Sequence, residues 1–286
     1  MNIIIGLIFT LGTVLGGYVL AHGKLAVLVV WPEYLAIIGM TVGAFVAGAP
    51  FSVVSKVVGE FPKIFKGNGI TKQTYVELLG LLLTIFNVIR KEGVLGIEKD
   101  LSNPHESARF QNYPEILHNH HAMDLLVRSL RLFVDGVVNP FDLDKLMETE
   151  IETHHHEAEK APEMLNETGD ALPGVGIVVA VSGIIVTMQY VDGPPAEIGL
   201  HVAAALVGTF LGLLLAYGMV KPMATTLKCY LHDEHAVLLA IRGAVVSFAG
   251  GAPPQVALEF ARKSIPSDHR PSAEEMEEIF QAARKS

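Results

Sequence analysis

The chain has one cysteine, Cys229, so no disulfide framework holds it together. Charge is also scarce. Asp, Glu, Lys and Arg make up 18% of the 286 residues, below the roughly 25% of a typical soluble domain. Cations are outnumbered, 21 Lys and Arg against 30 Asp and Glu for a net charge of -9, which argues against a nucleic-acid binder that works by neutralising phosphates. There is no Walker A loop, no G-x-G-x-x-G and no G-x-S-x-G elbow, so neither nucleotide nor covalent enzyme chemistry is signalled. Apolar residues, by contrast, are abundant. Half the chain is hydrophobic and mean hydropathy is +0.41, which excludes an extended disordered chain and leaves a membrane protein with a sizeable polar part.

Four stretches have the length and lack of charge needed to cross a bilayer, at about 20 residues each. They run roughly over 3–21, 34–53, 171–190 and 198–220. A secretory signal is the alternative for the first, but only Met1 and Asn2 precede its apolar run and no clean A-x-A site follows. The short connections are poor in cations: 22–32 holds only Lys24, and 191–197 holds none. The remaining basic residues, Lys56, Lys63, Lys66, Lys160, Lys221 and Lys228 among them, lie in 52–170 and 221–286. The positive-inside rule therefore assigns both large segments and both termini to the cytoplasm. The expected architecture is an all-α integral membrane protein with four transmembrane helices. Residues 1–53 form one transmembrane hairpin, 54–170 a helical cytoplasmic insert, 171–220 the second hairpin and 221–286 a helical cytoplasmic tail.

Within the insert, Thr71 is placed to cap a helix running to Arg90, with Gly93 as its stop. A second helix is expected over 122–138. Asn139, Pro140 and Asp142 read as cap, first helical residue and dipole complement of a third, which carries Glu148, Glu150, Glu152, Glu157 and Glu159. In the tail, Ser272 and Glu275 form a capping box after Pro271. Two histidine triplets, His118, His120, His121 and His154, His155, His156, raise the question of a metal. Neither has the i, i+4 pairing of a helical zinc site, so no metal or cofactor is expected.

Glycines four apart recur in the spans, at Gly12 and Gly16, Gly39 and Gly43, and Gly208 and Gly212. This spacing serves packing within the chain or between subunits. No span has Asp, Glu, Lys or Arg in its middle; Thr10, Thr13, Thr41, Ser182, Thr187 and Thr209 supply the polarity there. Glu33 and His201 fall near the outer ends. Proton relays use intramembrane carboxylates or histidines, so an ion-driven machine built on this chain calls for a partner that brings the ionisable group. Pro173 opens the third span, as prolines at helix starts do, and Pro222 lies inside or just beyond the fourth, where it permits a kink.

Several runs together carry a resemblance over nearly the whole chain. They are Leu11-Gly12-Thr13-Val14 with Gly16-Gly17-Tyr18, Asn103-Pro104 with Glu106-Ser107, Tyr113-Pro114-Glu115-Ile116-Leu117, Glu150-Ile151-Glu152-Thr153-His154, Gly169-Asp170-Ala171-Leu172-Pro173, the long run from Val207 to Gly218, and Ala252-Pro253-Pro254. On these the chain resembles the MotA family of flagellar stator subunits, part of the wider MotA/TolQ/ExbB proton channel group. The histidine triplets depart from the family pattern.

The resemblance implies a bacterial inner-membrane protein, five copies of which surround two copies of a MotB-like partner that grips peptidoglycan and supplies an essential aspartate. It implies that Arg90 and Glu98, with Glu150 as a weaker candidate, engage the rotor protein FliG. It implies that Pro173 and Pro222 couple shape to ion passage and that Thr209 faces the pore. Sodium-type relatives have a threonine seven residues after the proline matching Pro173. Here that position is Ala180, which offers no oxygen ligand, so the expected ion is the proton. The rival readings are an ExbB- or TolQ-like energiser of envelope processes, whose three spans disagree with the four counted here, and a membrane scaffold or autonomous transporter.

Overall fold

The computed structural model describes residues 2–285, and every regular element among them is helical. In chain order the helices are α1 (Asn2–Leu20), α2 (Trp31–Gly48), α3 (Phe51–Lys66), α4 (Lys72–Glu92), α5 (Leu95–Ser102), α6 (Ala108–Gln111), α7 (Pro114–Leu117), α8 (His120–Val134), α9 (Pro140–Met188), α10 (Pro195–Leu215), α11 (Lys221–Ala249), α12 (Pro254–Ser264) and α13 (Ala273–Lys285). A 3-10 turn, Leu25–Leu28, precedes α2, and a π turn, Ala216–Val220, joins α10 to α11. The chain forms two compact units. One takes Met1–Asn68 with Ala158–Tyr230, the other Gly69–Glu157 with Leu231–Ser286.

The first unit contains the long apolar helices. α1 buries no residue within the chain. The second apolar stretch ends earlier than its composition suggests, at Gly48 rather than near Val53. The cause is Pro50, whose ring disfavours helical geometry in the residue before it. Ala49 is accordingly extended, and Val53 belongs to a separate helix, α3. The core of this unit has two parts. Ile37, Leu172, Val175, Val179, Val207 and Leu211 form one, and Val57, Ile64, Ala161, Leu165, Met223 and Leu227 the other.

The second unit is a helical domain around α4. The cap foreseen at Thr71 is present and reciprocal with Thr74, and Gly93 ends the helix at φ +79°. That left-handed backbone favours glycine. Tyr75, Leu78, Leu82 and Phe86 are fully buried against Leu126 and Leu130 of α8, Ile241 of α11 and Leu258 of α12. Phe86 stacks on Phe248 with ring centroids 4.1 Å apart. Gly80 is needed because a Cβ there would lie 2.7 Å from the Tyr113 ring.

Burial, with Asp233 beside it, raises the Tyr75 hydroxyl above its ordinary pKa; the hydroxyl donates to the Asp233 carbonyl at 3.3 Å. Asn139 caps α9 by accepting from the Asp142 amide at 2.9 Å, and Ser272 and Glu275 form the expected box at 3.2 and 2.7 Å. α8 stops at Val134, short of Val138, because Gly136 takes φ +64°.

Among the described residues, five stretches are long and apolar enough to cross a bilayer: Asn2–Leu20, Leu25–Gly48, Lys72–Glu92, Pro140–Met188 and Pro195–Ala249. The Lys72–Glu92 stretch is α4, whose apolar side chains are occupied by the core of its own unit.

Candidate functional site

The prolines define the first site. Pro173 does not open a helix. It lies inside α9, which runs unbroken from Pro140 to Met188 and also contains Pro162. An interior proline has no amide to donate and crowds the carbonyl four residues back; for Pro173 that carbonyl belongs to Gly169. Pro222 stands in the first turn of α11, where the helical path continues beyond α10 as expected, and there the affected carbonyl is that of Gly218. The chain responds with the π turn Ala216–Val220, the wide one-turn insertion that often marks functional segments. The two proline segments touch. Lys221 Nζ lies 2.5 Å from an Asp170 carboxylate oxygen and 5.3 Å from the Tyr217 ring centroid. Gly169 permits the approach, since a Cβ there would stand 2.8 Å from Lys221 Cγ.

Further along, α9 and α10 cross backbone to backbone. A Cβ on Gly212 would fall 2.8 Å from Gly176 Cα and 2.8 Å from the Leu172 carbonyl oxygen, and one on Gly176 would fall 2.8 Å from the Gly208 carbonyl oxygen. The Gly208 and Gly212 pair thus packs within the chain. Among the described residues, nothing beyond the adjoining backbone of their own helices comes within 4 Å of such a Cβ on Gly12, Gly16, Gly39 or Gly43, so their faces are open. Thr209 and Ala180 are half-buried beside this crossing, Thr209 with its Cα 3.4 Å from the Gly176 Cβ position.

Glu33 is in the first turn of α2, at the edge of the apolar run as expected, and its carboxylate faces Gly183 of α9 and Gly208 of α10. A Cβ on Gly208 would lie 2.9 Å from Glu33 Oε2 and 3.2 Å from the Ala180 amide nitrogen; one on Gly183 would lie 3.3 Å from Glu33 Oε1. Glu33 is only 8% exposed, and its Oε2 has no hydrogen-bond partner among the described residues. A lone acid beside Pro32 at the edge of an apolar run was the available signal, and only the tertiary contact gives it meaning.

The rotor-side candidates all lie in the second unit. Arg90 and Glu98 are exposed on either side of the Gly93 turn, Arg90 in the last turn of α4 and Glu98 in the first turn of α5; neither forms an ion pair among the described residues. Glu150 is exposed on α9 and pairs at 3.7 Å with Arg128, which also holds Asp124 at 2.7 Å. The acidic run on α9 is therefore partly engaged rather than wholly solvated. Arg242 of α11 holds Asp144 at 2.7 Å and Glu148 at 3.1 Å. Hydrogen bonding to Lys145, with Arg242 beside it, keeps the Glu148 carboxyl below its usual range.

The histidines form ring contacts: His121 with His154, and His155 with His235, each at 4.3 Å between centroids. Among the described residues, no group of three or more His, Cys, Asp or Glu is arranged to hold a metal.

Known proteins share both the sequence and the fold. Residues 4–93 match the family model for the Motility protein A N-terminal region, and residues 118–238 that for the MotA/TolQ/ExbB proton channel family. Motility protein A of Salmonella typhimurium is 39% identical over 99% of this chain and 96% of its own length, and that of Escherichia coli K12 is 38% identical over the same shares. Chemotaxis protein LafT of Vibrio parahaemolyticus is 34% identical over 97% of each chain. The C. jejuni MotAB structure shares the fold at TM-score 0.80 and 20% identity, covering 95% of this chain and 98% of that one. The flagellar MotAB stator complex of Bacillus subtilis matches at TM-score 0.77 and 25% identity, covering 94% and 98%. A full-length relationship of this kind, carried by both halves of the sequence and by the fold, means that this chain belongs to the Motility protein A family of the MotA/TolQ/ExbB proton channel group.

Proposed function

We propose that this chain is the proton-conducting stator subunit of a bacterial flagellar motor. The observation that carries the reading is the match to Motility protein A along 99% of the chain. It is an inner-membrane channel subunit rather than an enzyme, and it works with a MotB-type partner, as the MotAB structures of its relatives support. In this reading four helices span the membrane, with α4 outside it, and both termini and the second unit are cytoplasmic. Five copies surround two copies of the partner, a single-span, peptidoglycan-binding chain. The open glycine faces on α1 and α2 suit packing between subunits.

The mechanism follows from the proline site. Protonation of the partner's aspartate removes a charge beside α9 and α10. Helices interrupted at Pro173 and Pro222 bend at lower cost than continuous ones, because the carbonyls of Gly169 and Gly218 already lack their usual donors. Thr209 faces the pore, and Ala180 leaves it without a sodium ligand. The movement turns the ring and carries Arg90 and Glu98, with Glu150 secondary, past FliG. Exposed charges suit such brief, repeated contacts, being long-ranged yet individually weak.

The ExbB- or TolQ-like alternative is not favoured, since the curated relatives matched at 38–39% identity are motility proteins. The test is motility in flagellated cells that lack their own stators, supplied with this chain and its MotB-like partner. Swimming that needs both chains, follows the proton gradient and survives sodium removal is expected. A stable membrane complex that gives no swimming, with a rotor from the same source present, would overturn the reading.

A further inference from the structure

The membrane unit contains a cavity of about 530 Å³ lined by α2, α9 and α10. Its walls are mostly apolar, with Val30, Met40, Val178 and Val186 among them, but Glu33, Ser182 and His201 also face it. Glu33 is more than nine-tenths buried, and one of its carboxylate oxygens has no hydrogen-bond partner. Such a group is expensive to maintain: a buried polar atom without a partner costs about 1–3 kcal/mol, and an unpaired charge more. The surroundings are shaped to accept it. Gly208 and Gly183 leave the space that a Cβ would take, at 2.9 and 3.3 Å from the two carboxylate oxygens.

We propose that Glu33 is a proton-carrying site of this chain's own, set in the ion path one step away from the partner's aspartate. The step is a simple exchange. Water entering the cavity as hydronium gives a proton to Glu33 Oε2; one O–H bond forms, one breaks, and neutral water remains. The carboxyl then returns the proton to water on the inner side. Burial among Val178, Val179 and Ala205 opposes a lasting charge, while the positive end of the 18-residue helix α2, in whose first turn Glu33 lies, offsets part of that cost.

The neighbours leave this role to Glu33. His201 of α10 is the other titratable group lining the cavity, and its ring stacks on Tyr190 with centroids 4.5 Å apart. α9 contributes the Ser182 hydroxyl and no charge, and the preceding Val30 and Pro32 contribute none. The Thr187 hydroxyl is spent on the Gly183 carbonyl at 2.8 Å. Glu33 Oε2 and the Ala180 amide nitrogen both flank the space beside Gly208, 2.9 and 3.2 Å from where a Cβ there would stand.

The inference rests on the proposed stator function, and the test keeps the two apart. In stator-less cells carrying this chain and its partner, bead rotation at low load is compared for wild type, Glu33→Gln and Glu33→Asp, with the membrane level and co-purification of each complex measured alongside. Glutamine keeps the size and hydrogen-bonding capacity of the acid but carries no exchangeable charge, so a structural role survives it. Expected is a fall of at least about tenfold for Glu33→Gln, in the range removal of a proton-transfer group produces, with rotation retained by Glu33→Asp.

A second arm needs neither a variant nor a working motor. The purified wild-type complex is treated with dicyclohexylcarbodiimide, which attacks protonated carboxyls in apolar sites, and modification of Glu33 is read by peptide mass spectrometry. Labelling of Glu33 supports the proposal even where a wild-type complex that fails to rotate a motor has overturned the stator reading. Wild-type rotation by Glu33→Gln at normal complex levels, or absence of label on Glu33, overturns the proposal.

Discussion

Lys221 and Asp170 form an ion pair at 2.5 Å that ties the segment before Pro222 to the segment before Pro173. Asp170 remains 56% exposed, and a pair this open to solvent adds little stability. Its significance is positional: it fixes the register of two proline-interrupted helices. Reversing one charge replaces attraction with repulsion. Lys221→Glu and Asp170→Lys should each slow swimming several-fold at normal membrane levels. The exchange of both, Asp170→Lys with Lys221→Asp, should recover most of the speed. Swimming speed scored against immunoblotted membrane fractions reads the result.

Pro222→Ala separates stability from function. Alanine restores an amide that can donate to the Gly218 carbonyl, and the π turn Ala216–Val220 loses its cause. The helix gains up to about 3 kcal/mol. The variant complex should melt higher in detergent than wild type, yet drive little or no rotation. Pro173→Ala should behave alike through the Gly169 carbonyl. A variant both more stable and fully motile would contradict the hinge.

These two sites show how far sequence reaches. The caps at Thr71, Asn139 and Ser272 were legible because capping is decided within four residues. Apolar runs located the long helices for the same local reason. Pro173 was misplaced because composition changes sharply there while the backbone does not: a polar stretch and an apolar one share one helix, α9. The neighbours of Glu33 on α9 and α10 were not legible because position along one helix does not say which side chains another helix brings to it. The partners of Arg242, Asp144 and Glu148 almost a hundred residues away, likewise leave no local trace.

The glycines predict unequal costs. At Gly212 an added methyl would meet Gly176 Cα and the Leu172 carbonyl at 2.8 Å, and backbone cannot rotate aside. Gly212→Ala must push α9 and α10 apart, an overpacking cost of about 1–3 kcal/mol. Gly12→Ala meets nothing within the chain. Thermal melts of the isolated chain in detergent should fall for Gly212→Ala and stay within about 0.5 kcal/mol of wild type for Gly12→Ala.

Arg90 and Glu98 should show the reverse of a core residue. Both are exposed, so Arg90→Ala and Glu98→Lys should leave stability within about 0.5 kcal/mol. On the proposed rotor contact, torque should nevertheless drop, most in Arg90→Ala combined with Glu98→Lys, where both charges are lost or inverted. Bead rotation under high load, at equal complex levels, is the measurement. Glu150→Gln should do less, because Glu150 already shares Arg128 with Asp124.

Acid should loosen the second unit in a defined window. Glu148 is held below its ordinary value of 4.5 chiefly by the Lys145 hydrogen bond, with Arg242 next, and Glu275 likewise by Lys72 and the Ser272 amide. A carboxyl whose folded pKa is depressed binds fewer protons folded than unfolded. Its contribution is therefore complete above the unfolded value and lost as pH falls from there through the folded value. The groups are exposed, so the effect is modest. Melting temperature should be flat from pH 7 to about 5 and then decline below the ordinary carboxyl range. Glu148→Gln should start lower at pH 7 and decline less steeply, since it has no proton to take up. Parallel slopes for wild type and variant between pH 5 and 3 would show that Arg242 holds α9 through Asp144 alone.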